Sequence, residues 1–214
     1  MGCSNSHPGP YPLKWTADEL SERFSRHHAG TLECFLDPAF PESFPPDAIN
    51  FFEGHSKLYV HPSEYTPGNF ERFFIIRHPP HPLLHSTYVA FQTKIYSTIK
   101  EEDRHDRLLY LYETAESGVY LGHGEIRYAD MNKTPYFRHK PVVGFTETKQ
   151  YYWRKGLGTS RLLTMNALSH TLFGFPMHSS TTISDRARRI WLHLVEEGKA
   201  CRFIEDKKER FAFL

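Results

Sequence analysis

The sequence predicts an α/β fold, a sheet covered by helices. Three observations carry this. Runs rich in β-branched and aromatic residues interleave with runs of helical period from about residue 70 onward. The best helical runs begin and end on capping residues. Hydrophobic residues make up 39% and aromatics 15% of 214 residues, enough apolar material for a core and against disorder throughout.

The elements follow in order. The first 12 residues read as a flexible tail. Ala17–His28 fits a short helix, with Thr16 and Glu19 as a capping box and Gly30 as the stop. Twelve of 15 prolines fall within residues 1–107, and DPAFPESFPP at 37–46 is irregular or extended. Lys57–His61 suggests a short strand. Glu71–Arg77 reads as a buried strand. His85–Lys100 carries Tyr88, Phe91, Ile95 and Ile99 at spacings of 3, 4 and 4, which predicts an amphipathic helix. Leu108–Thr114 and Val119–Ala129 are strands joined by a turn at 115–118, and Pro141–Lys149 is the next strand.

Gly156–Phe173 is a helix stopped by Gly174. Met177–Ile183 is a strand. Ser184 caps a helix carrying Ala187, Ile190, Trp191, Leu194 and Val195 on one stripe, ending at Gly198. Cys201–Ile204 and Glu209–Leu214 close the chain as two strands. From Glu71 on, the order is β-α-β-β-β-α-β-α-β-β. Two regions follow: an N-terminal extension at 1–69 and a folded domain at 70–214.

Charge and cysteines limit the function classes. Lys plus Arg number 26 against 25 Asp plus Glu, so no one-sign field suits a nucleic-acid coat, and no nucleic-acid partner is expected. Cys3, Cys34 and Cys201 stand far apart without a CxxC pair, arguing against a zinc site or disulfide framework. No run reaches the 18 apolar residues of a membrane span, and no secretory signal pattern is present; a reducing cytosol is the expected compartment. His78, His81 and His85 sit among Pro79, Pro80 and Pro82, which forbid a helix that would align them, so no metal is expected. Met1-Gly2-Cys3-Ser4-Asn5-Ser6 fits the N-myristoylation pattern, with Gly2 as acceptor and Cys3 open to palmitoylation. In a eukaryotic cytosol that would give peripheral membrane association.

The chemistry concentrates in KQYYWRKGLGTSRLL, residues 149–163. Gly156 and Gly158 open a helix directly after a strand and loop. The free N–H groups of Gly156, Leu157, Gly158 and Thr159, with the helix dipole, suit a pyrophosphate. Arg154, Lys155 and Arg161 add positive charge. The plain alternative is a tight turn with solvated basic side chains.

Trp153–Gly158 (WRKGLG) resembles the (Gln/Arg)-x-x-G-x-(Gly/Ala) pyrophosphate signature of the GNAT superfamily of acyl-CoA-dependent N-acyltransferases. Gly156 and Gly158 match, and Trp153 stands where Gln or Arg is usual. Ser184–Trp191 (SDRARRIW) is similar to that family's second signature, with Ser184 for Asn and Trp191 for Tyr. The resemblance covers about residues 70–214.

It implies a mixed, mostly antiparallel central sheet with helices on both faces. It also implies acetyl-CoA or a related acyl-CoA as co-substrate and an amine as acceptor. The strand before the loop would splay from Met177–Ile183. Backbone N–H groups near Thr146 and Thr148 would polarise the thioester carbonyl. Glu147, Glu125 and His123 are candidate bases for the attacking ammonium, Glu147 first and Glu125 second. Each carboxylate also has the reading of a solvated or salt-bridged strand residue. Trp191 cannot act as the acid that the family's Tyr supplies, and it reads as core filler. A catalytically silent binding or regulatory module of the same fold is the alternative.

Overall fold

The computed structural model describes residues 16–35, 70–78, 81–92, 106–115, 119–129 and 140–214. The expected strand at Lys57–His61, the N-terminal tail and the lipidation motif lie outside them.

Helix α1 (Ala17–Ser25) starts on the expected capping box: Thr16 Oγ1 accepts from Glu19 N at 3.2 Å, and Glu19 accepts from Thr16 N at 2.7 Å. Six strands follow: β1 (Thr31–Phe35), β2 (Phe70–Arg77), β3 (Ser86–Gln92), β4 (Asp106–Thr114), β5 (Tyr120–Ala129) and β6 (Pro141–Thr148). They form one antiparallel sheet in sequence order. Helices α2 (Leu157–Phe173) and α3 (Asp185–Glu196) come next, then the hairpin β7 (Ala200–Glu205) and β8 (Lys208–Phe213). Among the described residues no helix is long and apolar enough to cross a membrane.

Two expectations change here. Ser86–Gln92 is strand β3, where a helix over His85–Lys100 was expected. Its two neighbours already lie in a sheet whose ladders satisfy its N–H and C=O groups, and Thr87 and Val89 alternate into the interior. A period of two thus overrode the 3-4-4 spacing. Ile95 and Ile99 lie outside the described residues. Met177–Ile183, expected as a strand, contracts to a link centred on His178. His178 bridges Val142 in parallel and Ala212 in antiparallel fashion, so the hairpin joins the larger sheet through it. His178 N donates to Pro141 O and Val143 N to His178 O, at 2.8 and 2.9 Å.

One apolar cluster takes residues from all three described helices: Leu20 and Phe24 of α1, Met165 and Leu168 of α2, Trp191 and Leu194 of α3. These meet Phe74, Val89, Leu111 and Ile126 of the sheet. These strand positions are cross-strand neighbours of like parity, so the described helices share one face of the sheet. Helices on both faces were expected.

Histidines seal the α1 end of this core. His28 Nε2 lies 3.0 Å from Thr164 Oγ1 on α2, and its ring meets His78 edge-on at 4.8 Å. Burial, with repulsion from His28 and His81, pushes His78 down to about 3; burial alone pushes His28 down to about 4. Both therefore fold neutral, whereas the unfolded chain takes up protons near pH 6.5. Their contribution is complete above that pH and is lost as pH falls toward the folded values. The buried His78 alone is expected to cost at most about 1.4 kcal/mol per pH unit over that window. Urea titrations of wild type and His78→Gln from pH 7.5 to 4.5 check this; an equal slope in both would refute it.

Candidate functional site

The glycine loop stands where the sequence predicts it. After β6 the chain makes a 3-10 turn at Gln150–Tyr152 and enters α2 through Arg154 (φ 62°) and Gly156 (φ 79°). Arg154 bears the strain of the left-handed region, whereas glycine at 156 enters it without a steric penalty. Thr16 and Ser184 cap the other two described helices by side-chain hydrogen bonds, whereas Gly156 provides none for α2. The first intrahelical bond of α2 is Ser160 N to Gly156 O at 3.0 Å, so the Leu157, Gly158 and Thr159 amides have no acceptor within the helix. Arg154, Lys155 and Gly156 are exposed, so this corner is open to solvent. Leu157 is buried against Leu84 and Leu121 and anchors the turn. Gly158 has a second duty, since a Cβ there would come 2.8 Å from Ile190 Cδ1, where α2 and α3 meet.

Two side chains hold the loop in place, Trp153 within it and His81, which the sequence did not connect to it. Trp153 Nε1 donates to Thr148 O at 2.8 Å, and the Arg186 guanidinium stacks 3.6 Å from the Trp153 ring centre. Trp153 thus ties the loop to the end of β6 and to the start of α3. His81 Nδ1 accepts from Leu83 N at 3.2 Å, so the neutral ring carries its proton on Nε2 and donates to Lys155 O at 3.1 Å. In a trans peptide the Gly156 N–H then points away from His81. A depression of about 520 Å³ opens beside it, lined among the described residues by Thr31, Arg77, His78, His81, Leu84 and His85, none of them acidic. His81→Ala is expected to weaken binding of inorganic pyrophosphate about three- to tenfold, and His81→Gln to restore part of it. Calorimetric titration checks this; unchanged affinity in His81→Ala removes the role.

The preceding strand turns two amides outward. Lys149 N donates to Leu121 O at 2.9 Å, which makes Lys149, Glu147 and Phe145 the hydrogen-bonded positions facing β5. Thr146 and Thr148 therefore direct N–H and C=O away from β5, and the Trp153 bond to Thr148 O arrives from that side. Val143 N also points that way, to His178 O. Positions 143 and 146 differ by an odd number, and the register shift between Glu125 and Ile126, with Gly144 as the extra residue, reconciles them. Beyond Val143 the β6 residues are half-buried or exposed, and the parallel pairing with the His178 segment consists of one bridge.

The candidate bases share the opposite face of the sheet from the helices. Glu125 is 4% exposed, its carboxylate rests over Gly144, and Arg127 Nη2 is 3.2 Å from its Oε1. Burial holds this carboxyl above the usual carboxylate range, against the pull of Arg127. Glu147 is more open, its side chain 42% exposed, and its Oε2 lies 3.9 Å from the buried His123 Nδ1. His123 also bonds the Tyr120 hydroxyl at 2.5 Å and stacks on Phe145. Burial thus separates the two carboxylates, Glu125 enclosed and Glu147 partly open.

Arg161, expected beside the phosphate site, is fully buried and paired with Glu113. A helix places residues three to four apart on one face, and Arg161 shares that of Leu157, Leu168 and the sheet. Trp191 is core, 2% exposed, packed against Phe211 and Phe213 at ring distances of 5.8 and 5.1 Å. Among the described residues no group of three His, Cys, Asp or Glu side chains forms a metal-ligand cluster. No protein-family model matches the chain, and no curated protein matches it in sequence.

Proposed function

We propose that this chain is a GNAT-like N-acyltransferase, moving an acetyl or related acyl group from acyl-CoA to an amine. One observation carries the reading: β6 parts from the His178 segment after a single parallel bridge, and Thr146 and Thr148 turn their amides to that side. The uncapped start of α2 follows directly on this strand. An extended thioester arm fits such an opening, with its diphosphate on the Leu157–Thr159 amides and beside Arg154 and Lys155.

In this reading Thr146 or Thr148 N–H donates to the thioester oxygen as negative charge grows there. Glu125 accepts the proton that the ammonium of the acceptor must lose, because its raised pKa brings it nearer the working pH. The Trp191 indole cannot protonate the departing thiolate, which takes its proton from water.

Calorimetric titration with acetyl-CoA tests the first step. Arg154→Glu/Lys155→Glu alters two exposed side chains and is expected to weaken binding at least tenfold, since two cations become two anions beside a diphosphate. Absence of heat at millimolar ligand with wild type would sink the reading.

A second reading rests on Trp191. With the usual acid replaced by a core indole, the fold would bind acyl-CoA without turning it over. Sustained thiol release over a panel of amines excludes this version.

A further inference from the structure

We infer that Arg161 is a positioning residue that holds the outward-facing amides of β6, an inference that rests on the acyltransferase reading. Arg161 is 0% exposed, on the second turn of α2. Its Nε donates to Glu113 Oε2 at 2.9 Å, its Nη2 donates to the same oxygen, and its Nη1 donates to Thr146 Oγ1 at 2.9 Å. The three bonds reach β4 and β6 across β5.

The intervening strand makes room for the guanidinium. A Cβ at Gly122 would collide with Arg161 Nη2, and one at Gly124 would come 3.0 Å from Arg161 Cδ. Two glycines in a strand interior weaken it, and here they admit a side chain between strand and helix. Burying an ion pair is also a poor route to stability, because desolvation offsets the attraction. The arrangement instead fixes a location. Thr146 lies past the bulge, where the single bridge to His178 has ended and β6 has its ladder on the β5 side. A strand held from one side twists and slides more freely than one held from both. Arg161 supplies a further fixed point through the Thr146 side chain, whose own N–H points the other way, to the place of the thioester carbonyl.

A planar fork is required. Lysine offers one ammonium on a flexible stem and cannot hold the Glu113 and Thr146 geometry together.

The test compares two ligands that differ by the acyl group. Acetyl-CoA meets the β6 amides through its carbonyl, and free CoA has no such carbonyl. Thr146→Val keeps the Arg161–Glu113 pair and removes the Oγ1 acceptor, and Arg161→Lys removes the fork. In both, affinity for acetyl-CoA is expected to fall about three- to tenfold while affinity for CoA stays within about twofold. Amide exchange at Glu147 and Lys149, whose N–H groups face β5, is expected to quicken in both. Equal weakening for the two ligands means a general structural role and overturns the inference, as does no change in either. If Arg161→Lys does not fold, Thr146→Val decides alone. Wild type that binds neither ligand defeats the acyltransferase reading itself. Wild type that discriminates, with variants that discriminate equally, defeats only the role of Arg161.

Discussion

Glu125→Gln is expected to lower kcat for acetyl transfer about 10²- to 10⁴-fold and to leave acetyl-CoA affinity unchanged. The carboxylate lies over Gly144 at the bulge where β6 leaves its neighbour, and glutamine keeps its shape and its contact with Arg127 while losing the basic oxygen. The substitution separates function from stability by sign. A carboxyl whose folded pKa is raised stabilises the fold fully only below its unfolded value, and loses that contribution as pH rises through the folded value. At neutral pH the wild-type charge therefore opposes folding, and Glu125→Gln is expected to hold or raise Tm. In wild type the acid limb of kcat/KM falls above the ordinary carboxylate range, and in the variant that limb disappears. Activity within twofold of wild type would transfer the role to Glu147, with Glu147→Gln as the deciding comparison.

Arg161→Met is expected to destabilise the protein by about 3–5 kcal/mol, because it strands the buried Glu113 carboxylate without its partner. Glu113 is 1% exposed, and in the native protein Arg161 Nε and Nη2 both donate to its Oε2. Adding Glu113→Leu to Arg161→Met is expected to recover most of the loss, since a buried pair exchanged for apolar side chains of similar volume is often neutral in stability. Urea unfolding of the two variants checks both statements; equal stability of the single and double variants would contradict them. Arg161→Lys, which retains the charge, is expected to lie between wild type and Arg161→Met.

The two predictions rest on residues that differ in how far the sequence exposes them. Local rules reach the helix ends. The Thr16–Glu19 box, the Ser184 cap and Gly156 at the mouth of α2 each depend on a few neighbouring residues, and each stands where those residues predict. The hairpins β4–β5 and β7–β8 are legible for the same reason. Strand β3 is not, because Tyr88, Phe91, Ile95 and Ile99 satisfy helical spacing as well as strand chemistry, and the ladders to β2 and β4 decide between them. The link at His178 is shorter than the strand expected over Met177–Ile183. Its backbone is shared between β6 and β8 at one residue each, a property of how two sheets meet.

The glycine loop, its exposed basic pair and the two candidate carboxylates were all named by sequence reasoning. Their difference in burial was not available to it, because packing of segments far apart in the chain sets it. His81 and Lys155 are 74 positions apart, and no spacing rule connects them. Arg161 was misassigned because it follows the loop closely and carries the expected charge. Gly122 and Gly124, unusual inside a strand, were the available sign of a close approach.

From the order of residues alone came what nearest neighbours control: where helices start and stop, which runs extend, and the glycine opening of α2 with its free amides. Tertiary structure decided the rest, namely which face each carboxylate takes, which arginine is solvated and which is buried, and which amides of β6 turn outward. Solvent access and strand register belong to pairs of segments distant in sequence, and a single bulge at Gly144 reverses the direction of every backbone group that follows it in the strand.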